Sequence, residues 1–279
     1  MSAKILDGKA LASKIKQRLA SEAKQLASRP GLAVILVGDN PASRVYVTSK
    51  RKDCEECGFY SEEYTLPAET EPQDLLDLIE VLNIRPEIDG ILVQLPLPPQ
   101  FDERAVLLAI DPDKDVDGFH PMNVGKLMTG EACFLPCTPA GVMALLEEGE
   151  VEIAGKHCVV LGRSNIVGKP QALLMLQKDA TVTVCHSKTP DMTQECRRAD
   201  ILVCAVGKTG LITPDMVKEG VVIVDVAMNR DENGKLCGDC CRETYEKASA
   251  FTPVPGGVGP MTRAMLMENT LRAAKLHGK

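Results

Sequence analysis

The sequence lacks several things, and each absence excludes a class. No apolar stretch approaches the roughly 20 residues that a helix needs to cross a bilayer, so no membrane partner is expected. The opening segment Met1-Ser2-Ala3-Lys4-Ile5-Leu6-Asp7-Gly8-Lys9 carries no apolar block of the secretory type. With no targeting signal in view, a cytoplasmic location is expected. There is no long basic run, and the net charge is −7. That balance argues against a nucleic-acid backbone as partner. No G-x-G-x-x-G string occurs either, so any dinucleotide site must be argued from context.

What is there fits an ordinary α/β protein. A chain of 279 residues allows one large or two modest domains with a substantial core. Cysteine is plentiful and odd in number, at eleven. Cys158, Cys185 and Cys204 lie in apolar strands and read as reduced core residues. Cys54-x-x-Cys57 and Cys237-Gly238-Asp239-Cys240-Cys241 offer a split zinc pattern. The first pair, however, shares a helix with Lys50, and the second group sits in a polar loop, so no metal is expected. The acid-rich run Asp111-Pro112-Asp113-Lys114-Asp115-Val116-Asp117-Gly118 resembles part of a calcium loop. It lacks the closing glutamate and has Pro112 out of place.

Residues 8–28 have helical periodicity, and Arg29-Pro30-Gly31 breaks it. The run Leu32–Val37 reads as a buried strand ended by Gly38. Asp39 or Asn40 can cap the helix that follows, with Pro41 in its first turn. On that helix Tyr46 and Lys50 lie four residues apart and share a face. A lysine serves as acid or base only where burial or a neighbour brings its pKa down. Read alone, the pair better fits a solvated lysine beside a half-buried tyrosine.

A short strand near residues 60–64 and a helix near 73–82 lead to a strand over 88–94. The prolines of Gln94-Leu95-Pro96-Leu97-Pro98-Pro99 exclude helix or central strand, so this must be a stiff loop at the strand's carboxyl end. Gln94 is expected to project towards Lys50. After a helix near 103–110, a carboxylate held in the Gly118-bounded loop suits a neutral, donor-rich heterocycle, and Asp117 is the candidate. A helix from about Thr138 to Gly149 is expected to join two domains.

The second half reads as a nucleotide-binding unit. The strand His157–Leu161 runs into Gly162-Arg163-Ser164-Asn165-Ile166-Val167-Gly168 and a helix, the order of a dinucleotide-binding turn. The strand over 181–185 ends in His186-Ser187-Lys188, with no acid to bind ribose hydroxyls. Arg163, Ser187 and Lys188 instead offer donors to a 2′-phosphate, which favours NADP. Strands over 201–206 and 221–226 end in loops on the same edge, giving a four-stranded doubly wound sheet. The prolines and glycines of Thr252-Pro253-Val254-Pro255-Gly256-Gly257-Val258 suit close approach to a flat ligand. Thr262 is the expected cap of a closing helix over 263–276.

Five stretches together resemble the bifunctional methylenetetrahydrofolate dehydrogenase/methenyltetrahydrofolate cyclohydrolase family over nearly the whole chain. They are Pro41-Ala42-Ser43 with Tyr46 and Lys50, residues 89–98, residues 114–121, Gly162-Arg163-Ser164 with Val167-Gly168, and residues 255–262. The resemblance implies a folate-binding catalytic domain over 1–139, joined by 264–279, and a Rossmann-type NADP-binding domain over 140–263, with the last helix packing on the first domain.

It implies Lys50 as general acid/base, Tyr46 stacking on or orienting the folate, Gln94 tuning the lysine and Asp117 holding the pterin. Pro255, Gly256, Gly257 and Val258 would line the folate and nicotinamide site. Gly162, Arg163, Ser164, Val167, Gly168, His186, Ser187, Val206 and Gly207 would bind NADP. Tetrahydrofolate derivatives as substrates and a homodimer are implied too. Lys208-Thr209-Gly210, Ala227-Met228 and Cys240-Cys241 depart from the family's usual residues. A relative with only the dehydrogenase activity is the alternative, and the joint presence of Lys50 and Gln94 weighs against it. Short-chain dehydrogenases also use Tyr-x-x-x-Lys, but after their glycine loop rather than before it.

Overall fold

The computed structural model describes residues 3–279. Its contacts divide the chain into two α/β units, one of Ser13–Cys137 with Arg263–Lys279, the other of the residues up to Ala12 with Thr138–Thr262.

In the first unit Gly31–Val37 is the middle of a three-stranded parallel sheet, flanked by Tyr60–Leu66 and Gly90–Val93. Its seven residues are all buried. An unbroken apolar run of this kind suits a parallel strand covered on both faces. Tyr60–Leu66 is the half-exposed edge. Helices Pro41–Cys57 and Pro72–Ile84 follow the first two strands. The second of these buries Leu75, Ile79 and Leu82 in a core shared with Ile35, Ile91 and Val106.

The closing helix begins at Val258, not after Thr262 as expected. Thr262 lies inside it, and its hydroxyl bonds the Val258 carbonyl at 3.4 Å. From Arg263 onward the helix belongs to the first unit. There Arg263 lies 3.2 Å from Asp53, which Lys16 holds at 2.8 Å. Asn269 Nδ2 donates to the carbonyls of Val116 and Leu135 at 2.8 and 2.9 Å. Leu266, Met267 and Leu271 are buried. Truncating one such leucine to alanine costs about 2–5 kcal/mol.

The second unit holds a six-stranded parallel sheet in the order Lys4–Ile5, Ala248–Phe251, Val221–Asp225, Ile201–Cys204, His157–Leu161, Thr181–Cys185. The four strands expected from sequence form one side. Two further strands extend it. Lys4 pairs with Ala250, so the opening residues belong to this unit and not to the first domain as expected. A two-residue strand carries no periodicity, and its partner lies at the far end of the chain.

Counted from His157–Leu161 as strand 1, the order is 2-1-3-4-5. The chain therefore reverses direction of winding at strand 1, the place where α/β sheets bind ligands. The first unit also holds helix Pro121–Thr129, which is not among the elements expected from sequence. It starts on the His120 ring, whose Nδ1 accepts from Met122 N at 3.0 Å, and stops at Gly130. Among the described residues no helix is long and apolar enough to cross a membrane.

Candidate functional site

The first unit gathers its polar side chains at the carboxyl ends of Gly31–Val37 and Gly90–Val93. Helix Pro41–Cys57 brings Lys50 there, half-buried. Lys50 Nζ donates to Gln94 Oε1 at 2.9 Å. Gln94 Nε2 donates to the Leu95 carbonyl at 2.7 Å, which fixes which end of the amide faces the lysine. Burial lowers the proton affinity of Lys50, while Asp117 and Cys137 oppose the shift. A lysine so placed can lose its proton nearer neutrality than one in water. Tyr46 sits one turn earlier on the helix and is 40% exposed.

Asp117 comes from the loop that follows the bridge of Asp115 to Ile91. The acids of this loop have different tasks. Asp111 accepts from Asp113 N at 2.9 Å. Asp115 is buried and accepts from Phe119 N, His120 N and Asn123 Nδ2 at 3.2, 2.8 and 2.9 Å. Lys114 points into the protein, to the carbonyls of Leu82 and Arg85. That leaves Asp117 as the acid near Lys50. Burial pushes its carboxyl up to about 6, with Lys50 pulling the other way.

Cys137 is not among the site residues expected from sequence. The structure sets its thiol beside Asp117, with Sγ 3.3 Å from the Val116 carbonyl and Asn269 Nδ2 at 3.7 Å. Burial pushes that thiol well up, so it is present as a neutral S–H. No spacing in the sequence signals this contact, because the chain returns to Asp117 only through tertiary packing.

The second unit gathers the remaining candidates at the carboxyl ends of its strands. Gly162 has φ +114°, and a Cβ there would stand 2.4 Å from the Ala205 carbonyl oxygen. A Cβ on Gly168 would lie 2.2 Å from the Gly162 oxygen. Only glycine lets strand, turn and helix approach so closely, and this is the cradle a pyrophosphate needs at a helix N-terminus. Ser164 Oγ accepts from Val167 N and Gly168 N at 3.2 and 3.3 Å, shaping the turn.

Arg163, Ser187 and Lys188 are exposed, with donors free to meet an anion. His186 Nδ1 accepts from Lys188 N at 3.1 Å. Val206 and Gly207 form the exposed loop after Ile201–Cys204. Pro255, Gly256 and Gly257 precede the closing helix in this same unit. The Gly256 carbonyl accepts from Lys9 N at 2.9 Å. Val258 is only 2% exposed, so its backbone rather than its side chain is what it can offer a ligand. The substrate residues expected from sequence are thus divided, Tyr46 and Asp117 on one unit and 255–258 on the other.

Comparison with known proteins agrees with both halves. The model of the tetrahydrofolate dehydrogenase/cyclohydrolase catalytic domain matches residues 6–117, and that of the family's NAD(P)-binding domain matches residues 136–278. Bifunctional protein FolD of Ruminiclostridium cellulolyticum is 59% identical over 280 residues, covering 99% of each chain. The crystal structure of the bifunctional FolD methylenetetrahydrofolate dehydrogenase/cyclohydrolase of Campylobacter jejuni matches with TM-score 0.97 and 51% identity over 99% of both chains. A Trypanosoma brucei methylenetetrahydrofolate dehydrogenase-cyclohydrolase, complexed with NADP cofactor and inhibitor, matches with TM-score 0.94 and 40% identity, covering 99% of this chain and 98% of its own. A half-buried lysine held by an amide, a glycine cradle at the sheet's switch point, and matches along almost the full length lead to one assignment: the chain belongs to the tetrahydrofolate dehydrogenase/cyclohydrolase family.

Proposed function

We propose that the chain oxidises 5,10-methylenetetrahydrofolate to the 5,10-methenyl cation with NADP⁺, then hydrolyses that cation to 10-formyltetrahydrofolate. It thus serves one-carbon folate metabolism. The observation that carries this reading is the Lys50–Gln94 pair, a lysine of lowered proton affinity held at 2.9 Å by a neutral acceptor beside Asp117.

NADP⁺ supplies the hydride acceptor for the first step. The chain's part there is alignment. The cradle of Gly162 and Gly168 suits the pyrophosphate. Arg163 and Ser187 suit the 2′-phosphate, with Ser164, Val167, His186, Val206 and Gly207 completing the surface. The absence of an acid after Thr181–Cys185 supports NADP over NAD. Asp117 accepts paired N–H groups from the pterin, and Tyr46 stacks on or orients it. On the second unit, Pro255, Gly256, Gly257 and the backbone of Val258 offer a flat wall to a planar ligand.

In the second step water attacks the methenyl carbon. Lys50 takes a proton from that water and returns it to the leaving ring nitrogen as the carbon–nitrogen bond breaks. The remaining hydroxyl proton goes to solvent as the formyl carbonyl forms. Gln94 keeps Lys50 aimed without adding a charge that would hold its proton. The reading places the protein in the cytoplasm as a homodimer, which light scattering of the purified protein tests. Purified protein with methylene-folate and NADP⁺ should produce NADPH absorbance, and methenyl absorbance should then decay to the formyl product. NADPH without decay would leave a dehydrogenase alone, and neither signal would overturn the reading.

A further inference from the structure

In the second unit, Asp239 makes four hydrogen bonds that no ligand-binding role accounts for. Its carboxylate accepts from three consecutive backbone amides, Val206 N at 2.7 Å, Gly207 N at 3.2 Å and Lys208 N at 2.7 Å. Asn229 Nδ2 donates to the same carboxylate at 3.0 Å. Asp239 is wholly buried. Successive amides that converge in this way, with Gly207 at φ +76°, form a concavity that ordinarily binds an external anion. Here the chain's own carboxylate fills it.

The carboxylate is itself held in place. Asp225 Oδ1 accepts from Asp239 N at 3.0 Å and Asp225 Oδ2 from Cys240 N at 2.9 Å, while Tyr245 donates its hydroxyl to Asp225 at 2.8 Å. A Cβ on Gly238 would stand 2.0 Å from Asp225 Oδ2, so only glycine admits this approach. Two buried carboxylates in series thus tie the segment 238–240 to the loop after Ile201–Cys204.

The consequence for a ligand follows from the planar trans peptide, whose C=O points opposite its N–H. With the three N–H groups turned to Asp239, the carbonyls of Ala205, Val206 and Gly207 must face the other way. The Ala205 oxygen does face Gly162, the start of the phosphate cradle. A loop whose amides are spent has no backbone donors for a phosphate. It has acceptors for hydroxyl or amide N–H groups. In a 2-1-3 order the loop after strand 3 lies across strand 1 from the loop after strand 2, where Ser187 sits. The dinucleotide half that meets Val206 and Gly207 is therefore the half away from the 2′-phosphate.

We propose that Asp239 is a positioning residue for the cofactor. Its carboxylate holds the Val206–Lys208 loop so that carbonyls, not amides, face the uncharged ribose-and-carboxamide part of the dinucleotide. The inference rests on the NADP-dependent reading above.

The test is Asp239→Asn, which keeps the volume but turns an NH₂ towards backbone amides. The KM for NADP⁺ should rise about tenfold or more, the scale seen when a supporting partner of a bound group is lost. The inhibition constant of adenosine 2′,5′-bisphosphate, which carries only the other half, should stay within about twofold, a difference near 0.4 kcal/mol. Cofactor-free hydrolysis of methenyl-folate should persist.

Equal weakening of NADP⁺ and the bisphosphate, or an unchanged KM, overturns the proposal. Should Asp239→Asn fail to fold, Asn229→Ala removes one bond to the same carboxylate. It should show the same split at smaller amplitude, and an unchanged KM in that folded variant overturns the proposal as well. If the parent protein shows no NADP-dependent oxidation, the functional reading fails, separately from this one.

Discussion

Lys50 Nζ and Gln94 Oε1 meet at 2.9 Å, and the Gln94 amide nitrogen is spent on the Leu95 carbonyl at 2.7 Å. The lysine thus faces a neutral oxygen that cannot rotate away without breaking a second bond. Burial lowers its proton affinity, and this neighbour adds no negative charge to restore it. Lys50→Met removes the group proposed to take the proton from water. Methenyl hydrolysis should fall by about 10²–10⁴-fold, the usual worth of a positioned acid/base. The decay of methenyl absorbance reads it directly, and decay at the parent rate would show the assignment to be wrong.

Gln94→Glu replaces the neutral acceptor with an anion at the same distance. An opposite charge at about 3 Å favours the protonated lysine, typically by one to three pKa units. The limb of the hydrolysis pH profile that reports deprotonation of Lys50 should move alkaline by at least about one unit. An unmoved limb would mean that Lys50 is not the titrating base.

Asp117 gives a pH dependence of opposite origin. Its carboxyl is pushed up from 3.8 to about 6 by burial. Between these values the folded protein binds more protons than the unfolded chain. The stability this group contributes is therefore full below about 4 and lost as pH rises through about 6. Asp117→Asn, which cannot ionise, should gain Tm relative to the parent more at pH 8 than at pH 4. Function runs the other way. In the proposed role it is the carboxylate form that accepts pterin N–H groups, so the parent's KM for folate should rise as pH falls below about 6. In Asp117→Asn that rise should disappear.

Gly162→Ala places a methyl 2.4 Å from the Ala205 oxygen in a backbone region that L-residues avoid. The loop must open, and NADP⁺-dependent oxidation should drop by about 10²-fold or more, the loss that a 1 Å misplacement brings. Methenyl hydrolysis, which needs no cofactor, should survive. Comparable loss of both would point to general unfolding, which circular dichroism would show.

Arg163→Ala removes an exposed guanidinium from the end of the cradle. Charge-assisted hydrogen bonds contribute about 1.5–3 kcal/mol, so the KM for NADP⁺ should rise about 10- to 100-fold. The KM for NAD⁺, which has no 2′-phosphate, should change little. Initial rates with the two cofactors decide it, and an equal effect on both would place Arg163 on the shared pyrophosphate.

Much of this protein was determined by the sequence alone, where the information is local. The apolar run Leu32–Val37, the glycine turn at Gly162–Gly168 and the one-turn spacing of Tyr46 and Lys50 each name an element and its exposed end. Backbone sterics and burial act over a few residues, so such features can be read directly. The missing acid after Cys185 is of the same kind.

Tertiary structure alone decided what depends on distant chain segments. It assigned Lys4–Ile5 to the sheet of Ala248–Phe251, and it began the last helix at Val258. Among four nearby acids it placed Asp117 beside Lys50 and gave Asp115 to the backbone of its own loop. It set the Cys137 thiol against Asp117, and it turned Asp239 onto the amides of Val206, Gly207 and Lys208. The reason is physical. A side chain's type limits what it can do, but its pKa and its partner depend on which remote atoms exclude water from it, and only the packed chain specifies those.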